Sequence, residues 1–188
     1  EKHKKEFTSP KLQNFPITLV PASISNNLPC SDFSIGCDTA LNNIIEAVDK
    51  IKQSAVSSSR VFVIEVMGSN GYLAVMSAIA TGADKVYIPE EKLKLDRLQN
   101  DINDFTNAFK QHTQSFLVIN NESSSKVFTT PTLAKLFEDQ SEGLYKVRTA
   151  VLGHLQQGGA PTGADRILAT ILSQMAIQYL EEQFTTGA

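Results

Sequence analysis

The 188 residues contain no tryptophan, two cysteines and three methionines, and their apolar runs are short. Runs such as Val61 to Ile64 or Ile17 to Val20 stop far short of the roughly 20 residues that cross a bilayer, which predicts a soluble chain with no membrane partner. Charge of one sign is also lacking. Seventeen Lys and Arg stand against twenty Asp and Glu, a net charge of −3, so no basic field exists to attract nucleic acid, and any bound anion must be held locally. Cys30 and Cys37 form neither a CxxC pair nor part of a Cys/His ligand set. That usage predicts no metal or disulfide role and fits a reducing, cytoplasmic location. The charged start, Glu1-Lys2-His3-Lys4-Lys5-Glu6, has no apolar stretch behind it and is not read as a signal peptide. What remains, 41% hydrophobic and 20% charged residues without a repeat, suffices for one ordinary core or two small ones sharing an interface.

Apolar spacing supplies the organisation. Ile17 to Val20 reads as a short strand stopped by Pro21, and Ser23 to Cys37 as a polar loop. Asp38 and Thr39 suit an N-cap for a helix carrying Leu41, Ile44, Ile45, Val48 and Ile51 up to a break at Ser57 to Ser59. Val61 to Val66 reads as a buried strand, Gly68 to Gly71 as a turn, and Tyr72 to Thr81 as a small-residue helix ended by Gly82. The unit then recurs: strands at Lys85 to Ile88, Ser115 to Ile119 and Val147 to Leu152 alternate with helices at Leu95 to Phe109 and Thr132 to Phe137. A Gly-rich loop from Gln156 to Gly163 leads to a closing helix, Ala164 to Glu182. Strands alternating with helices predict an α/β fold of parallel βαβ units.

Ligands in open α/β sheets lie past the carboxyl ends of strands, where helix N-termini offer unpaired amides to anions. Four loops therefore carry the functional expectation: Ser23 to Asn27, Met67 to Asn70, Asn120 to Ser123, and His154 to Gly159.

Those loops also carry a resemblance. Pro21-Ala22-Ser23-Ile24-Ser25-Asn26-Asn27 followed by Ser31 to Ala40, Arg60 with Val61 to Gly68, Gly82-Ala83-Asp84 with Ile88-Pro89-Glu90, and Arg148 to Gly159 with Pro161 and Asp165-Arg166 resemble, in order, segments of the 6-phosphofructokinases. The likeness runs from about Pro16 to Ala176. It implies phosphofructokinase-like open parallel sheets with helices on both faces, incomplete relative to a full family lobe. Residues 1–37 would end the larger, nucleotide-side subdomain with its sugar-phosphate loop. Residues 38–155 would form the smaller sugar-phosphate-binding subdomain, and 156–188 would return to the larger one.

One position bears on which half of a eukaryotic subunit is present. In catalytic halves of the family the loop beginning at Ser23 would read Thr-Ile-Asp-Asn-Asp, the first Asp accepting the proton of the attacking sugar hydroxyl. Here that position is Ser25, and the second acid is Asn27. A serine hydroxyl is too weak a base near neutral pH for that task. The resemblance therefore implies the regulatory half, with no catalytic residue, and a site for fructose 2,6-bisphosphate lined by Ser23, Ile24, Ser25, Asn26 and Asn27. Arg60 and Arg148 would clamp phosphate across a subunit boundary. Met67 and Gly68 would shape the sugar pocket, Glu122 would accept from sugar hydroxyls, His154 and Gln157 would meet the 6-phosphate, and Ser69, Leu155 and Gln156 would complete the effector site. Other subunits would be partners, and Mg and ATP would serve the parent enzyme rather than this segment.

The chain departs from the family pattern in two ways. Only Ser69 and Asn70 separate Gly68 from Gly71, one residue fewer than usual, and nothing matches the family's Gly-rich phosphate cradle. Taken alone, His154 is equally an ordinary hydrogen-bonded histidine, Arg60 a solvated residue and Glu122 part of a surface loop. Asp165-Arg166 reads as a helix start with local pairing, and Lys92, Lys94 and Arg97 as a solvated face. Two other functions stay open, a catalytic fructose 6-phosphate-binding half and an assembly module with a vestigial pocket.

Overall fold

The structure is a computed structural model that describes residues 15–54 and 59–186. Its elements are α1 (Cys37–Gln53), β1 (Arg60–Val66), α2 (Tyr72–Thr81), β2 (Lys85–Tyr87), α3 (Leu95–Lys110), β3 (Ser115–Asn121), α4 (Thr130–Asp139), β4 (Lys146–Val151), a 3-10 turn (Gly153–Gln157) and α5 (Gly163–Thr186). The four strands form one parallel sheet in the order β2-β3-β1-β4. Arg60 lies opposite Ser115 and Lys146, and Val66 opposite Asn121, so the loops after β1, β3 and β4 leave the same edge.

The alternation within β1 builds both cores, as expected of a parallel strand covered on two faces. Phe62, Ile64 and Val66 pack with Ile44 and Val48 of α1 and Leu73 of α2. Val61 and Val63 pack with Leu98, Ile102 and Phe105 of α3 and Leu133 and Phe137 of α4. Burying each such side chain contributes about 1.5–3 kcal/mol. The result is the three-layer arrangement expected from the sequence, with helices on both faces.

Several expectations change in detail. Ile17 to Val20 is not a strand. Ile17 and Leu19 are exposed, and the parallel bridge Ala22–Ile35 forms only beyond Pro21. A β-favouring run becomes a strand only where a ladder accepts it, and no described strand lies alongside. The N-cap of α1 is Gly36, not Asp38 or Thr39, which sit in the first turn. Of the break at Ser57 to Ser59, only Ser59 lies within the described residues. The Gly-rich loop begins in the 3-10 turn, whose last residues are Gln156 and Gln157.

At the short edge strand β2, Arg97 is not part of a solvated face. It donates to the Val86 carbonyl at 2.9 Å, pairs with Glu91 and lies over the Tyr87 ring at 5.4 Å. Lys85 sits between Asp101 at 2.7 Å and Asp104 at 2.6 Å, and Tyr87 donates to Asp101 at 2.8 Å. Burial and then the Asp101 charge raise the Tyr87 phenol far above its ordinary range. The Arg97 bond occupies the Val86 carbonyl of an edge that would otherwise present it free.

Among the described residues no helix is long and apolar enough to cross a membrane. The long helix α5 exposes Ile167, Ile171, Met175, Tyr179 and Phe184, an apolar display with no partner layer among the described elements.

Candidate functional site

Hydrogen bonds join the four loops at the carboxyl edge of the sheet. The first is shaped by local polar bonds. Ser23 Oγ accepts the Ser25 amide at 3.2 Å and donates to Asn27 Oδ1 at 3.3 Å. Asn26 takes a left-handed conformation, φ 49°, which Asn tolerates better than most side chains, and its Oδ1 accepts the Ser34 amide at 2.8 Å. Asn27 then donates from Nδ2 to Ser69 Oγ at 2.8 Å, joining this loop to the one after β1.

The β1 loop begins with two amides held by side chains from elsewhere. Met67 N–H donates to Gln156 Oε1 at 2.8 Å, and Gly68 N–H donates to Glu122 Oε1 at 3.0 Å. Gly68 has φ 144°, and a Cβ there would stand 3.1 Å from the Asn70 carbonyl and 3.3 Å from Asn121 Nδ2. Gly71 is constrained by space instead: a Cβ would meet Glu90 Oε2 at 2.7 Å and Ile88 at 2.9 Å. Glu90 also accepts the Gly71 amide at 2.8 Å, supplying an acceptor at the start of α2. The two-residue turn Ser69-Asn70 thus closes without a gap, and Ser69 remains at the site.

Ser23, Ile24, Ser25, Asn26, Asn27, Met67, Gly68, Ser69, Glu122, Gln156 and Gln157 accordingly lie on linked or adjoining loops. Gln156 is buried, 1% exposed, and its Nε2 has no hydrogen-bond partner. With Gln157 and Ile24 it borders a cavity of about 290 Å³. His154 and Leu155 turn the other way. They line a wider groove of about 550 Å³ with Asn43, Glu46 and Lys50 of α1, and His154 Nδ1 lies 3.3 Å from Gln157 Oε1.

The structure does not bring Arg60 or Arg148 to these loops. Arg60 occupies the amino end of β1, roughly 20 Å from Met67 at the usual strand rise, and donates to the Ser54 carbonyl at 3.1 Å. Arg148 lies on the edge strand β4 opposite Phe62, exposed, with Nη1 3.1 Å from the Val147 carbonyl. The loops thus contain amide and hydroxyl donors, one histidine and one carboxylate, but no Lys or Arg; the cation at the smaller cavity is Arg166 of α5, which donates to the Pro161 carbonyl at 2.9 Å.

The sequence expectation for Asp165 was local pairing, and the structure corrects it. Asp165 is 3% exposed and accepts the Gly36 amide at 2.8 Å, the Thr39 amide at 2.8 Å and the Thr39 hydroxyl at 2.5 Å. Burial opposes its ionisation, but the Thr39 hydroxyl and the Gly36 and Thr39 amides outweigh burial and hold the carboxyl below its ordinary range. Sequence reading also gave no role to Asn121, which donates to the Asn70 carbonyl at 2.8 Å, or to Asn43, which donates to the Gln156 and Gly158 carbonyls at 3.1 and 2.7 Å. Asn121 adjoins Glu122 at a strand end and could have been singled out. Asn43 sits in an amphipathic helix and gives no such signal.

Comparison with known proteins places these loops in context. A family model described as Phosphofructokinase matches residues 2–180. The chain is 44% identical over 172 residues to the ATP-dependent 6-phosphofructokinase of Dictyostelium discoideum, covering 91% of this chain and 21% of that protein. It is 46% identical over 167 residues to the human platelet-type ATP-dependent 6-phosphofructokinase, covering 88% and 21%. Among solved structures, Pichia pastoris phosphofructokinase in the T-state superposes with a TM-score of 0.88 at 39% identity, over 95% of this chain and 21% of that one. The Saccharomyces cerevisiae phosphofructokinase gives 0.85 at 36%, over 89% and 23%. The chain therefore spans about a fifth of the length of these relatives.

Proposed function

The chain belongs to the phosphofructokinase family, and from that premise we propose that it is part of the regulatory half of a longer ATP-dependent 6-phosphofructokinase subunit, where its loop cluster binds fructose 2,6-bisphosphate. The parent subunit would convert fructose 6-phosphate to fructose 1,6-bisphosphate in glycolysis, within a cytoplasmic oligomer, with ATP and Mg held outside this chain. Residues 38–155 would be the smaller sugar-phosphate subdomain, and 1–37 and 156–188 would belong to the larger one.

The observation that carries this reading is the chemistry of the first loop. Ser25 and Asn27 stand where a catalytic half would need carboxylates, and both hydrogen-bond within or between the loops at the sheet edge. Loss of two negative charges favours an anionic ligand and removes a general base. Glu122, the nearby carboxylate, is engaged by the Gly68 amide, an arrangement suited to accepting a sugar hydroxyl with its other oxygen.

The phosphates of such a ligand need more cations than Arg166, which borders the cavity of about 290 Å³, supplies. Arg60 and Arg148, too far to serve their own loops, suit the equivalent site of a neighbouring subunit, which would make the pocket a sensor of assembly. Occupancy shifts a quaternary equilibrium only through unequal affinity for its states.

Titration of the full-length subunit with fructose 2,6-bisphosphate, before and after Arg148→Ala, tests the proposal. A charged hydrogen-bond partner contributes about 1.5–3 kcal/mol, so the half-activating concentration should rise by about ten-fold or more. Unchanged activation overturns the reading. The apolar face of α5 and the occupied amides of Met67 and Gly68 favour, as a second reading, an assembly module with a closed pocket. A rise in melting temperature with the bisphosphate excludes that alternative by mass action.

A further inference from the structure

We propose that Asp165 is a positioning residue that fastens together the two walls of the cleft, the Ser23–Asn27 loop and the Gln156–Gly159 loop, and thereby sets its affinity for a doubly phosphorylated sugar. The inference rests on the functional reading above, but the fastening itself can be tested without ligand.

A helix is ordinarily capped by the side chain just before it. Gly36, the N-cap of α1, has none, and the acceptor comes instead from Asp165, 129 residues downstream. One oxygen takes the Gly36 amide, and the other takes both the amide and the hydroxyl of Thr39. The consequences run in both directions along the chain.

Upstream, Ile35 beside Gly36 donates to the Pro21 carbonyl and accepts the Ser23 amide, each at 3.0 Å. Ser34 donates from Oγ to the Ser23 carbonyl at 2.5 Å and from its amide to Asn26 Oδ1 at 2.8 Å. The first wall is thus anchored to the segment that Asp165 holds.

Downstream, the Thr162 amide donates to Thr39 Oγ1 at 3.1 Å and its hydroxyl to Asp38 at 2.5 Å. Asn43, one α1 turn further along, holds the Gln156 and Gly158 carbonyls. The first wall therefore anchors just before α1 and the second on its first two turns, and Asp165 bonds Gly36 and Thr39 where the two meet. The cavity of about 290 Å³ between them is bordered by Ile24 on one wall, Gln156 and Gln157 on the other, and Asp165. Gln156 lines this cavity, with its Nε2 buried and without a hydrogen-bond partner.

The test compares Asp165→Asn with Asp101→Asn in the full-length subunit. Asp101 is equally buried, 4% exposed, and bonded to Tyr87 and Lys85 on the far face of the sheet, so it controls for general destabilisation. Asp165→Asn should raise the half-activating concentration of fructose 2,6-bisphosphate about ten-fold, and Asp101→Asn should leave it within two-fold. Thr39→Ser should retain the wild-type response, and Thr39→Val should lose part of it. In the ligand-free protein, Asp165→Asn should accelerate amide exchange in 23–27 and 156–159 together while 121–123 is unchanged. Equal effects of the two Asn variants, or faster exchange confined to the first turn of α1, would overturn the inference. A wild-type subunit that ignores the bisphosphate would sink the effector reading alone, since amide exchange still decides the fastening.

Discussion

The two faces of the sheet are built from different materials. Against α3 and α4 the core is aromatic: Phe105 packs on Phe116, Phe137 and Tyr145 with ring centroids 4.9, 5.3 and 6.4 Å apart, and Phe109 stacks on Tyr145 at 4.7 Å. Against α1 and α2 it is mostly aliphatic and small, with Ala40, Ile44, Val48, Leu73, Ala74 and Ala78 around the buried ring of Phe62. Rings bury large areas and lock one another by edge contacts, whereas small side chains allow helices to approach the strands closely. The closely packed face carries α1 and α2, whose N-termini receive the loops of the candidate site. The aromatic face contributes chiefly Glu122, from a loop held by the hydrogen-bonded series Ser124 to Asn120, Asn120 to Thr130 and Thr130 to Glu65. The aromatic core and most of the candidate-site loops thus lie on opposite sides of one sheet.

Substitutions can break that division. Phe105→Ala should have the largest effect, lowering unfolding stability by about 3–5 kcal/mol while leaving the effector concentration dependence near wild type at temperatures where the variant is folded. Denaturant unfolding and an activation curve on the same preparation check this, and a lost response in the folded variant would mean the faces are not separate. Gly71→Ala acts on the closely packed face. Its methyl would strike Glu90 and Ile88, at a cost of about 1–3 kcal/mol, and effector affinity should fall with stability.

Acidification sharpens the comparison without mutation. The Asp165 carboxyl is held below its ordinary range in the fold, so its contribution to stability is complete above the unfolded carboxylate value, about pH 4. It declines as pH falls toward the lower folded value, because the unfolded chain then takes up the proton first. Melting temperature followed from pH 6 to pH 3 should fall more steeply for the wild type than for Asp165→Asn, and parallel curves would contradict it. The smallest effect belongs to Lys50→Ala. Its pairing with Glu46 at 3.8 Å is highly exposed, and the change should stay within about 0.5 kcal/mol by the same unfolding measurement.

Much of this was legible beforehand because parallel strands buried on both faces read as continuous apolar runs. Val61 to Val66 and the helical spacing of Leu98, Ile102, Phe105 and Phe109 identified their elements closely. Ile17 to Val20 misled because β propensity records a side chain's fit to a sheet, not the presence of one. The candidate site was partly legible too, since Met67 to Ser69 and Glu122 fall where loops leave the sheet and Ser23 to Asn27 is a polar, turn-forming run. Asp165 was not, for an Asp early in a helix has the same local signature whether it caps its own turn or one from a distant segment.

The order of amino acids by itself set the alternation of strands and helices, the loops that gather at one edge, and the absence of a carboxylate at positions 25 and 27. These follow from side-chain chemistry and short-range spacing. Only the tertiary structure decided that Gln156 and Glu122 hold the amides after β1, that Arg60 and Arg148 lie away from the loop cluster of their own chain, and that α1 borrows its cap from α5. Those outcomes depend on which distant groups the packed sheet brings within hydrogen-bond range, and no local pattern encodes that distance.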